Sequence, residues 1–100
     1  MMNEINKNIV DLINAKELVF AKFKVSYDNN NNSIHLVKGK KYMTIKYNTG
    51  TDLYDIKAGE IKNFALIETT HLVGIFFDMV RNFITDHFKF EYVMENFARY

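Results

Sequence analysis

Tyr42-Met43-Thr44-Ile45-Lys46-Tyr47-Asn48-Thr49-Gly50-Thr51-Asp52-Leu53-Tyr54-Asp55-Ile56-Lys57-Ala58 decides the fold. Apolar and polar residues alternate on both sides of a polar turn, the period of two half-buried antiparallel strands. Met43, Ile45 and Tyr47 fall on one face; Tyr42, Thr44 and Lys46 fall on the other. Past the turn, Tyr54, Ile56 and Ala58 alternate against Asp55 and Lys57. Gly50 supplies a residue free to take positive φ. The stretch therefore predicts a hairpin with one apolar face, and that face needs a cover.

Toward the N-terminus the same period continues. Residues 34–37 read as a strand, joined to the hairpin by the tight basic turn Lys38-Gly39-Lys40-Lys41. Ala21, Phe23, Val25 and Tyr27 alternate with Lys22, Lys24 and Ser26 in another. The asparagine run at 29–32 forms the loop between them, since Asn tolerates left-handed backbone and hydrogen-bonds its own turn. The cover comes first in the chain. Ile5, Ile9, Leu12 and Ile13 have the spacing of an amphipathic helix over residues 3–16, with Asn3 as its cap.

Toward the C-terminus, Gly59-Glu60 reads as a turn, and residues 64–68 allow a fifth strand. Thr69 or Thr70 then caps a long helix from Leu72. Its apolar residues form two rows: Leu72, Phe76, Met79 and Phe83, and Val73, Phe77, Val80 and Ile84. A single sheet covers about a 100° stripe of a helix, so this wider arc asks for two packing partners. The phase breaks near Phe88, and a short terminal helix follows over residues 90–99. The expected architecture is one α+β domain: an N-terminal helix, a four- or five-stranded antiparallel meander, then a long and a short C-terminal helix packed on one sheet face. Phe23, Val25, Ile34, Leu36, Met43, Ile45, Tyr54 and Ile56 are expected in the core.

At 100 residues the chain is one domain, large enough for a single core. Its 48% hydrophobic and 25% charged residues are a globular balance. A formal charge of +1 is not that of a strongly electrostatic nucleic-acid binder. The absence of cysteine excludes disulfides, thiolate metal sites and cysteine nucleophiles. The first residues lack the basic start and apolar run of a signal peptide, and no stretch is long and apolar enough to span a bilayer. The expectation is a cytoplasmic protein without membrane contact.

No motif carries catalysis. His35, His71 and His87 lack metal-ligand spacing, and no serine lies in a nucleophile elbow. Gly39, Gly50 and Gly59 are spaced as separate turns, not as a phosphate loop. Asp52 and Asp55 are three apart, which in a strand places them on opposite faces. Asp52 is read as closing its turn, and Asp55 as pairing with a cross-strand lysine such as Lys46. No enzymatic activity, cofactor or metal is therefore expected.

Two surfaces remain. Lys22, Lys24, Lys38, Lys40, Lys41 and Lys46 with Tyr42 collect on or beside the outer sheet face, as a contact surface for a protein or, alternatively, a weak nucleic-acid interface. The aromatic surplus near the C-terminus, Phe77, Phe83, Phe88, Phe90 and Phe97, suggests the interface of a homodimer.

The hairpin at residues 42–56, with its Asn-x-Gly-x-Asp turn and Leu-Tyr-Asp strand, resembles short proteins of phages and archaeal viruses. Small size, lack of cysteine and the Asn, Lys, Ile, Tyr and Phe usage of an AT-rich genome are also similar to such mobile-element proteins, anti-CRISPR inhibitors among them. The resemblance implies a non-enzymatic accessory protein that binds a partner, such as an inhibitor of a host defence complex. It transfers no catalytic residue, and a basic sheet face departs from the acidic surfaces common in those inhibitors.

Overall fold

The computed structural model describes residues 1–93. Asn3 caps the first helix, α1 (Glu4–Ile13): its side-chain oxygen accepts from the Asn6 amide at 2.8 Å. The helix is shorter than the 3–16 span expected from periodicity. Asn14 adopts left-handed φ of 51° and ends it, and α2 (Ala15–Phe20) leaves in a new direction. A further turn with Lys22 at φ 73° leads to β1 (Lys24–Asp28), so the first strand begins three residues later than the alternation from Ala21 suggests.

Four hairpins follow: β1 to β2 (Ser33–Lys38), β3 (Lys41–Asn48), β4 (Leu53–Lys62) and β5 (Ala65–Ile75). They form one antiparallel sheet in sequence order, a pure meander. The two-residue β2–β3 turn places Gly39 at φ 61° in its first position, where a type II′ turn needs positive φ. The Gly59-Glu60 turn expected from the sequence does not exist. β4 runs through it, and the chain reverses at Asn63-Phe64, both at positive φ. Gly59 instead permits close approach: a Cβ there would overlap the Ile67 carbonyl of β5.

The α+β class with five antiparallel strands is thus observed. The long helix from Leu72 is corrected. Leu72, Val73 and Ile75 belong to β5, Phe77–Met79 form a 3₁₀ turn, and α3 spans Val80–Phe88. Two physical reasons account for this. Short apolar runs fit either period, and the β-branched Ile67, Thr69, Thr70, Val73 and Ile75 favour extended backbone. Gly74, which a helix would place on its polar strip, has φ 71° and sits at an irregularity of the β4–β5 pairing. The two apolar rows are a strand and a helix joined end to end, so no single helix presents the wide arc. The break at Phe88 is observed, with Lys89 at φ 56°. The terminal helix over 90–99 is not seen at residues 90–93, and the rest of it lies outside the described residues.

The three helices lie on one face, over β1, β2 and β3. Ile9 and Ile13 of α1, Leu18 of α2, and Val80, Ile84 and Phe88 of α3 meet Phe23, Ile34, Leu36, Met43, Ile45 and Ile56 in the core. Val25 and Tyr54 pack at its margin. The Phe23 ring joins the layers, with Phe88 at 4.8 Å and Phe90 at 5.3 Å, both edge-to-face. The helix layer stops short of β5, which is exposed over most of its length.

Candidate functional site

Strand register assigns every side chain of the open sheet face. One row crosses all five strands: Ser26, His35, Thr44, Lys57 and His71. The row on one side holds Asp28, Ser33, Lys46 and Asp55; the row on the other holds Lys24, Val37, Tyr42, Gly59 and Glu68. The first two rows, apart from Ser26 and with Asn31 added, line a cleft of about 450 Å³.

Within it, His35 Nδ1 and Thr44 Oγ1 are 2.9 Å apart. Asp28 accepts from the Asn30 amide at 2.9 Å and from Asn31 Nδ2 at 2.7 Å. The Asn31 side chain, with help from backbone amides and nearby His35, holds the Asp28 carboxyl below its ordinary 3.8. Asp55 stands opposite Lys46 in register, as expected from the sequence, but makes no ion pair with it and accepts instead from the Gly74 amide at 3.3 Å. Its neighbour Asp52 does not close the turn by capping. That part belongs to Asn48, whose side chain accepts from the Gly50 amide at 2.9 Å, while Asp52 accepts from the Tyr47 hydroxyl.

The lysines expected to act together are divided by register. Lys24 and Lys46 lie on the open face. Lys22 and Lys40 are exposed in turns. Lys38 and Lys41 belong to the helix side: Lys38 Nζ lies 5.0 Å from the Phe23 ring centroid, and Lys41 Nζ donates to the His87 carbonyl at 2.9 Å. Tyr42 is on the open face but buried, and burial, then Glu68, pushes its hydroxyl above the ordinary 10.0. The open-face lysines Lys24, Lys46 and Lys57 are matched by Asp28, Asp55 and Glu68, so the face is mixed in sign. Two single strands already carry both signs on this face, Lys24 with Asp28 on β1 and Asp55 with Lys57 on β4; register adds Glu68 of β5.

The aromatic group also divides. Phe88 is core and Phe90 packs on it. Phe83 is half-buried beside a groove between α3 and the inner side of β4 and β5. Phe77 is exposed, and Phe97 lies outside the described residues. What replaces this group is a surface the alternation did not reveal. Phe64, Leu66, Ile67, Val73, Phe76, Phe77 and Met79 are all exposed along or just beyond β5. As the last strand of the sheet, β5 has no neighbour on its outer rim within the described chain.

Among the described residues no group of three or more His, Asp or Glu could hold a metal ion, and no helix is long and apolar enough to cross a membrane. Comparison with family models, with curated proteins and with solved structures gives no match to this chain.

Proposed function

We propose that this protein is a non-enzymatic interaction module whose contact surface is the outer rim of β5 with the Phe76-Phe77 corner. One observation carries the reading: an eleven-residue edge strand bears exposed Leu66, Ile67 and Val73 and runs into two exposed phenylalanines. Unpaired strand edges of this length and apolarity template pairing with another chain. Natural edges are blunted by lysine or proline, and β5 contains neither. Among the described residues its protection is limited to the single carboxylate of Glu68 and two pairing irregularities with β4.

The first partner is a second copy, pairing β5 against β5 about a two-fold axis. The interface thereby moves from the C-terminal aromatics to the edge strand. In the wider reading the module is a cytoplasmic accessory protein of a virus or mobile element that occupies a partner's surface, for instance in a defence complex. The size, composition and hairpin resemblance support that setting. The nucleic-acid alternative is less supported, because the lysines of the open face are matched by carboxylates.

Light scattering across a concentration series tests self-association. Wild type is expected to be dimeric, and a Leu66→Lys/Val73→Lys variant monomeric with an unchanged circular dichroism spectrum. A wild type that stays monomeric at millimolar concentration defeats the dimer.

A further inference from the structure

The cleft on the open face is separate from the outer rim of β5, and its two lysines and two aspartates, Lys46, Lys57, Asp28 and Asp55, occupy different places in it. We propose that it binds a small phosphate monoester, with Lys57 holding the phosphate between Thr44 and His71.

Register supplies the geometry. Thr44 of β3, Lys57 of β4 and His71 of β5 stand directly across from one another. Adjacent strands are about 4.8 Å apart, so a hydroxyl, an ammonium and an imidazole all reach one tetrahedral anion. Thr44 is oriented by its contact with His35 at 2.9 Å.

The placement of charge, not its sum, supplies the preference for an anion. Both carboxylates of the cleft are engaged, Asp28 with the Asn30 amide and Asn31 Nδ2 and Asp55 with the Gly74 amide. Asp55 also stands across from Lys46 in register. Lys57 faces Thr44 on one side and His71 on the other, with no carboxylate across from it. Among the described residues it makes no ion pair. A cation in a concavity, flanked across the sheet by a hydroxyl and an imidazole and not by a carboxylate, is the local pattern that recognises phosphate.

Volume supplies the rest of the ligand. The cleft, at about 450 Å³, is larger than phosphate alone and falls in the range of small-molecule sites. Beyond Lys57 its walls include Asn31, Lys46 and the carboxylates of Asp28 and Asp55, groups that hydrogen-bond the hydroxyls of a body such as a sugar.

Amide-resolved NMR titration tests this, with inorganic phosphate and ribose 5-phosphate as probes at constant chloride ionic strength. Both are expected to give saturable shifts centred on Thr44, Lys57 and His71, with ribose 5-phosphate binding more tightly. Lys57→Gln is expected to weaken binding by about tenfold, the effect of one charge-assisted hydrogen bond. Lys24→Gln, on the same face outside the cleft, is expected to leave it unchanged. Shifts that stay linear, spread over every lysine, or persist in Lys57→Gln would overturn the proposal. So would a single-stranded DNA oligonucleotide that binds more tightly than ribose 5-phosphate, since the face would then be tracking a backbone.

Discussion

At the scale of single residues, asparagine has a larger structural part than any chemistry assigned to it. Asn6 is fully buried in α1, and its Nδ2 donates to the Asp28 carbonyl and to Asn29 Oδ1, both at 3.2 Å. Asn3 adds a bond from Nδ2 to Asn32 Oδ1 at 3.0 Å, and its amide donates to Asn29 Oδ1 at 2.9 Å. The asparagine loop is thereby tied to the start of α1. Asn6→Ala removes both donated bonds and strips their acceptors of this partner, so a loss of about 1–3 kcal/mol is expected in urea unfolding. Asn3 was readable as a cap from its position alone. The partnership of residues 29–32 with α1 was not, because it spans more than twenty residues and no local pattern encodes it. The tyrosines add a pH dependence. Burial raises Tyr42 and Tyr54, and the bond to Asp52 raises Tyr47. Each folded-state pKa lies above the ordinary 10.0, so the folded state holds these protons more tightly. Their stabilisation is complete below the ordinary value and is lost as pH rises through the raised ones. Urea midpoints are therefore expected to fall as the pH is taken above 10.0, less steeply in Tyr42→Phe.

At the scale of elements, the β4–β5 hairpin departs most from what local sequence prefers. Its turn places Phe64 at φ 64° with the ring fully in solvent. Left-handed backbone costs a residue with a side chain roughly 1 kcal/mol or more, and an exposed ring returns none of it through packing. Phe64→Gly would leave glycine directly after Asn63, and Asn-Gly is the favoured pair for a two-residue hairpin turn. The substitution is expected to stabilise the monomer by about 0.5–1 kcal/mol by thermal or urea unfolding, and to weaken self-association in the same light-scattering series. A variant that is neither more stable nor less associated would mean that Phe64 carries neither strain nor contact. The same hairpin explains where sequence reading succeeded and failed. The β3–β4 hairpin was legible because both strands are half-buried and alternate cleanly. β5 was legible only over residues 64–68 and was read as helix further on, because an edge strand exposed on both faces has no buried side to impose a period.

At the scale of the whole molecule, stability is distributed unevenly across the sheet. The helices and the core meet β1 to β3 and the middle of β4, and the C-terminal segment is drawn in toward α1. Arg81 Nε donates to the Leu12 carbonyl and the Tyr92 hydroxyl to the Ile13 carbonyl, both at 2.7 Å, satisfying the last carbonyls of α1 from across the fold. The Arg81 guanidinium also lies 4.9 Å from the Tyr92 ring centroid. That closure does not extend along β5, which pairs with β4 alone and meets the core at its last residue, Ile75. Local opening therefore costs least at β5 and most at β2 and β3. In dilute solution, amide exchange is expected to be fastest along residues 65–75 and slowest at Ile34, Leu36, Met43 and Ile45. If a second copy pairs with the rim, protection of β5 should rise with protein concentration while that of β2 and β3 stays constant. The Leu66→Lys/Val73→Lys variant should show no such rise. Protection of β5 that is high and independent of concentration would mean the edge is stabilised within one chain, and self-association would lose its support. Exchange measured at two concentrations thus separates an edge that is merely last in the sheet from one that is completed by a partner.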